Sequence, residues 1–144
     1  MGKGRIEITG DKEYIALVER IKKELPKRLD AALFTGATDT MNEAKKSIQG
    51  HQSSGNVYQR GSISHTASTA GNPPNSDTGN LVQNITIQKI NGGYDIGSRK
   101  GAPYGVHLEF GTSKMGARPW LTPAFYLALE KLKVKMISRL REKV

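Results

Sequence analysis

Asn91-Gly92 separates two short runs that alternate in polarity, Asn84-Ile-Thr-Ile-Gln-Lys-Ile90 and Tyr94-Asp-Ile-Gly-Ser98. This dipeptide favours the left-handed backbone of a two-residue hairpin turn, so the two runs are expected to pair as antiparallel strands. Alternation places Ile85, Ile87 and Lys89 on one face. A lone two-stranded hairpin is marginal in water. The chain must therefore supply something to cover that face, and helical periodicity on either side of the hairpin supplies it.

On the N-terminal side, Tyr14, Val18, Ile21, Leu25, Leu29, Ala32 and Leu33 recur at spacings of three and four, the signature of one apolar helix stripe. Asp11 suits the N-cap and Glu13 the first turn. Pro26 removes a backbone donor from the middle of this pattern, which predicts a kink or two abutting helices. Beyond Gly36 the stripe resumes through Ala37, Met41, Ala44 and Ile48, so residues 11–49 read as one broken helix. Before it, Arg5-Ile-Glu-Ile-Thr9 alternates like a short strand. On the C-terminal side, Pro123 suits a helix start, and Phe125, Ala128, Leu129, Leu132, Met136 and Leu140 share a face. The expected class is α+β in one domain, residues 1–144: a small antiparallel sheet against a long, kinked N-terminal helix and a C-terminal helix.

Residues 50–76 are rich in Ser, Gly, Asn, Gln and Thr and close on Asn72-Pro73-Pro74. They read as a long flexible loop, or a hairpin around Val57, Tyr58 and Ile63 that orders against a partner; connections of this length are functional or disordered. The hydrophobic content of 36% is lean for a globular chain, as expected of either a long solvated segment or surfaces buried only on assembly. The net charge is +9, and residues 104–144 contribute eight basic against three acidic groups. Lys131, Lys135 and Arg139 recur every four residues as a basic ridge on the last helix. The ridge reads either as a solvated face that complements the helix C-terminus or as a surface toward DNA phosphates.

No chemistry-bearing motif stands out. Asp77-Thr78-Gly79 spells the aspartic-protease tripeptide, but Asn72-Pro-Pro-Asn-Ser76 precedes it where those enzymes have an apolar strand, and a turn aspartate is the simpler reading. His51, His65 and His107 lack the short-spaced partners of a zinc site, and the absence of cysteine excludes disulfides and thiolate ligands. Neither a phosphate-binding glycine loop nor a nucleophile elbow is present. No catalytic residue, metal or cofactor is expected. The longest apolar run, Ala124–Leu129, is too short to span a bilayer, and Met1–Ile8 has no apolar signal core, so no membrane association is expected. Glu109, between Leu108 and Phe110, either faces solvent or points inward, in which case Arg118 is the candidate partner.

Tyr104-Gly-Val-His-Leu-Glu-Phe-Gly-Thr112, followed by Met115-Gly-Ala-Arg-Pro-Trp-Leu-Thr-Pro-Ala124, resembles the signature of the gene-product-ten-like neck or tail-completion proteins of HK-type long-tailed bacteriophages. Tyr58-Gln-Arg60, His65-Thr-Ala-Ser68, Ala70-Gly-Asn-Pro-Pro74 and Ser76-Asp-Thr-Gly-Asn-Leu81 resemble the same family's central loop. The departures are Thr69-Ala70 where a proline often precedes the glycine, Asn72 where an acidic residue is common, and Trp120 where phenylalanine is usual.

The resemblance implies a non-enzymatic virion protein of a phage or prophage, assembled in the host cytoplasm. It would act as a ring of identical subunits, six-fold by family likeness alone, joining the tail to the DNA-filled head. Implied partners are the adjoining neck, head-closure and tail-terminator proteins, with non-specific contact to packaged DNA. Assembly contacts are expected in the loop 54–75 at Tyr58, Arg60, His65, Pro73 and Pro74. Beneath it a platform is expected from Tyr104, Glu109, Phe110, Gly111, Arg118, Pro119 and Trp120. The alternatives are a tail terminator or head-closure ring of the same machine, and a small basic DNA-binding module, for which the charge speaks but no recognition-helix pattern does.

Overall fold

The computed structural model of the chain describes residues 10–50 and 54–141, with side chains to 137. The expected strand at 5–9 lies outside the described residues. Helix α1 runs from Asp11 to Gly50, 40 residues that continue through Pro26, so the two-helix alternative is not what forms. Strands β1 (Val57–Arg60) and β2 (Ile63–Thr66) make one antiparallel hairpin inside the expected loop. A short helix α2 (Asn80–Asn84) leads into β3 (Ile85–Ile90), which turns at Asn91-Gly92 into β4 (Gly93–Ser98). The pairing is the one the turn dictates, with Ile90 opposite Gly93 and Ile87 opposite Ile96. Helix α3 (Gly105–Phe110) and helix α4 (Thr122–Arg141) follow.

The sheet expected as one unit is two separate two-stranded sheets. Only β3–β4 lies on α1: Lys89 Nζ reaches the Asp30 carboxylate at 2.9 Å, the Tyr94 hydroxyl donates to the same carboxylate at 3.1 Å, and the Tyr94 and Phe34 rings meet at 5.4 Å. The core gathers Ala44 and Ile48 of α1, Leu81 and Val82 of α2, Ile85, Ala102, Trp120 and Ala124, with Met41, Ile96, Leu108 and Leu121 at its edge.

Helix α4 packs antiparallel to the second half of α1, since Lys131 meets Glu43 while Lys135 meets Asp39. Small residues set this closeness: Ala37, Thr40 and Ala44 face Ala124 and Ala128 across the seam. A Cβ on Gly36 would come within 2.9 Å of Leu132 Cδ2, so glycine is what lets that side chain seat against the α1 backbone. Of the expected α4 face, Ala128 is buried and Leu129 and Leu132 are half-buried, whereas Phe125 and Met136 are exposed and Ala124, outside that set, is buried beside Ala128. Leu140 lies beyond the described side chains.

The first half of α1 has a different fate. Tyr14, Leu17, Val18, Ile21, Leu25 and Leu29 are all exposed, so the stripe that periodicity defines there has nothing packed on it among the described residues.

Candidate assembly site

The segment from Tyr104 to Trp120 is held by backbone. Trp120, 2% exposed, donates its indole N–H to the Gly105 carbonyl at 3.0 Å, and Arg118 donates its amide to the Leu108 carbonyl at 2.7 Å. Between them a tight turn closes through Thr112 and Met115, whose amide and carbonyl meet at 2.8 Å. Gly111 enters that turn at φ +77°, and a Cβ there would press to 2.8 Å on the Ala117 nitrogen. Only glycine meets both conditions.

Glu109 points inward, 7% exposed, yet Arg118 is not its partner. Its Oε2 accepts the amides of Trp120 at 2.7 Å and Leu121 at 2.8 Å, and its Oε1 accepts that of Thr122 at 2.9 Å. These donors open α4, so the carboxylate caps that helix from a distance in sequence and sits at the positive end of its dipole. Burial alone would raise the Glu109 pKa, but the hydrogen bonds from Leu121, Thr122 and Trp120 outweigh it and hold the group below its ordinary value of 4.5. Arg118 instead turns its Nη1 toward Met115 Sδ at 3.2 Å, and its Nε is buried with no protein partner. Of the two readings left open for Glu109 the inward one holds, but backbone capping stands where Arg118 was the candidate partner, which no side-chain pattern announces.

The central segment is tied to this platform. Gly71 donates its amide to the Ala117 carbonyl at 2.8 Å, and Pro74 is buried. Asp77 gathers the hairpin: Arg60 Nη2 lies 2.5 Å from one carboxylate oxygen and His65 Nδ1 3.8 Å from the other. At its base, Gly55 donates to the Ala67 carbonyl at 2.9 Å and Asn75 Nδ2 to the Thr66 carbonyl at 2.8 Å. A concavity of about 390 Å³ opens here, and it brings together Arg60, Pro74, Asp77, Tyr104 and Leu108 over Ile48. Among the described residues that line it there is no second carboxylate with which Asp77 could share a proton, as the protease reading would need.

Tyr58, Val57 and Ile63 project from the hairpin into solvent. Phe110, 76% exposed, and Tyr104 also present aromatic surface, while Pro73 and Pro119 are half-buried. His107 is exposed because α3 is helical, where alternation would have made it half-buried. In the basic ridge, Lys131 pairs with Glu43, and Lys135 Nζ lies 2.8 Å from Asp39 Oδ2; the Arg139 side chain is outside the described residues. Lys131 holds the Glu43 carboxyl below its ordinary value, although burial opposes the shift. Sequence reasoning missed a groove of about 430 Å³ between β4 and the start of α4, walled by Tyr94, Ile96, Leu121, Phe125 and Tyr126. Its only signal was the aromatic pair Phe125-Tyr126 just beyond Pro123-Ala124.

Among the described residues there is no cluster of His, Asp and Glu able to hold a metal, and no helix long and apolar enough to cross a membrane. What the arrangement offers is apolar and aromatic surface on rigid supports, fit for contact with other proteins. The sequence model of one family, described as "Bacteriophage HK97-gp10, putative tail-component", matches residues 12–111. No curated protein and no solved structure matches the chain.

Proposed function

Because the chain belongs to the HK97-gp10-like family of bacteriophage tail components, we propose that it is a neck or tail-completion protein that assembles as a ring joining the tail to the DNA-filled head. The reading is architectural. It places the protein in the virion, beside head-closure and tail-terminator proteins, after assembly in the host cytoplasm.

The observation that carries it is the amount of large apolar surface the folded chain leaves uncovered, on α1, the β1–β2 hairpin, Phe110 and the outer side of α4. Scattered apolar side chains are ordinary, but contiguous patches of this extent mark surfaces that partners bury. A closed ring needs two different patches on each subunit, and the chain has several. We assign the β1–β2 hairpin and the Tyr104–Trp120 platform beneath it to contacts within the neck.

Asn56 and Ala67 are already hydrogen-bonded at 2.9 Å, so residues 57–66 can be excised and the ends joined with little strain. The expected outcome is a folded protein, by circular dichroism and thermal unfolding, that no longer joins heads to tails when it replaces the intact chain in a phage lysate. Infectious particles at the normal yield would show the hairpin to be dispensable. Rings in negative-stain images of the intact chain support the reading. A protein that never enters virions contradicts it.

A further inference from the structure

Resting on the ring reading, we infer that the first half of α1 is an arm that docks on a second copy of this chain, along the outer face of that neighbour's α4. Residues 11–29 span roughly 30 Å at 1.5 Å per residue. A free helix of that length is marginal in water, and Pro26 makes it more so. Yet Tyr14, Leu17, Val18, Ile21, Leu25 and Leu29 fall within one stripe, all of them 41–68% exposed. Tyr14, Val18, Ile21 and Leu25 follow the four-three-four spacing of a helix seam, which calls for another helix. Their exposed area is on the order of 700 Å², close to the roughly 800 Å² per partner of a stable interface.

The occupant is indicated by a second stripe. Besides the face it turns to α1, α4 exposes Tyr126, Leu127, Val134 and Ile137, at 61%, 56%, 68% and 50%. These four cover about 100° of the helix, the width of a packing face, on the side away from Ala124 and Ala128. A helix apolar on two sides is one that ends up covered on both. The arm cannot reach this stripe within its own chain, because the Lys131–Glu43 contact places α4 beside the far half of α1. The distance along α1 from Lys22 to Glu43 is about 30 Å. Two different stripes that meet only between copies make a heterologous contact, the kind that closes a ring. Lys22, paired with Glu19, borders the arm stripe, and Glu130, paired with Lys133, lies inside the α4 stripe, so each stripe carries a balanced pair of charges and neither repels the other.

The chain has no cysteine, so cross-linking is free of background. Lys22→Cys and Glu130→Cys are placed in separate full-length chains, mixed and oxidised. The expected result is a disulfide-linked dimer in the mixture and little in either variant alone. The double variant in one chain gives a ladder of linked subunits, since a disulfide cannot bridge these positions within a monomer. Cross-linking of Lys22→Cys alone would overturn the inference in favour of arm-to-arm pairing. Rings that form without any cross-link would overturn it while leaving the ring reading intact. A chain that stays monomeric by sedimentation at every concentration, with no cross-link, overturns both. As a second readout, Ile21→Asp with Leu25→Asp is expected to weaken assembly at least tenfold with no change in thermal unfolding of the monomer; unchanged assembly would count against the docking.

Discussion

The two halves of α1 share one helix and one periodicity and have opposite surroundings. From Ala37 to Ile48 the stripe is buried under α4 and the β3 strand, while from Tyr14 to Leu29 an equally regular stripe is open to solvent. The difference lies in side-chain size. The covered half carries Gly36, Ala37, Thr40 and Ala44, which let another helix come close, and the bare half carries Tyr, Leu, Val and Ile. Periodicity thus identifies the face that packs, while residue volume says whether its partner is already in the chain: small residues suit a close, built-in seam, large ones an outside surface able to fill the gaps.

The contrast breaks most visibly at Ile48, which is 1% exposed at the centre of the core. Ile48→Ala is expected to cost about 2–5 kcal/mol, measured by urea unfolding. Ile21→Ala in the bare half removes the same atoms and is expected to change the monomer's stability by less than about 0.5 kcal/mol. Similar losses at both positions would mean that the arm is packed in the isolated chain.

Next in size is the cap that presents α4 to the covered half. Glu109→Gln keeps one acceptor oxygen but sets its NH2 donor against at least one of the three backbone N–H groups, and is expected to cost about 1–3 kcal/mol. Because the folded Glu109 pKa lies below its ordinary 4.5, the charged cap stabilises the protein above that pH, and the contribution is lost as pH falls through the folded value. The wild-type chain should lose stability below about pH 4.5 more steeply than the Gln variant. Parallel pH profiles would show that the cap carries no such linkage.

Much of this was legible in the residues, for identifiable reasons. Asn91-Gly92 fixed the hairpin because a two-residue turn permits one register, and Ile85, Ile87 and Lys89 follow from it. The α1 stripe was visible because 40 residues repeat the same signal. The face of α4 was read correctly at Ala128, Leu129 and Leu132, but Phe125 was taken into it in place of Ala124, because alanine counts for little in an apolar stripe although close helix contact selects for small residues. Helix α2 escaped because five residues carry no period. The residues left both orientations of Glu109 open, and its partners are main-chain amides 11 to 13 residues away, which side-chain identity cannot reveal.

A smaller effect is expected along the helix seam. Lys135→Ala removes the pairing with Asp39 at the edge of the covered half, where Lys135 is 50% exposed. Exposed pairs contribute about 0.2–1 kcal/mol, and the loss should shrink further in high salt. An effect that salt does not reduce would mean that Lys135 acts through packing of its stem against α1.

The least perturbing change to global stability is also the finest test of how separate the two halves are. Pro26 has no N–H to donate to the Lys22 carbonyl, and its ring crowds that turn, so the bare half up to Leu25 is joined to the rest of α1 through a weakened turn. Pro26→Ala restores the bond and is expected to strengthen the arm's own helix by up to about 3 kcal/mol. None of residues 22–26 belongs to the core, so urea unfolding of the folded body should move by less than about 0.5 kcal/mol. Amide exchange in residues 11–25 should slow at the same time. If both measures rise together, the arm and the body unfold as one unit, and the bare half is then held by the body rather than waiting for a neighbour to cover it.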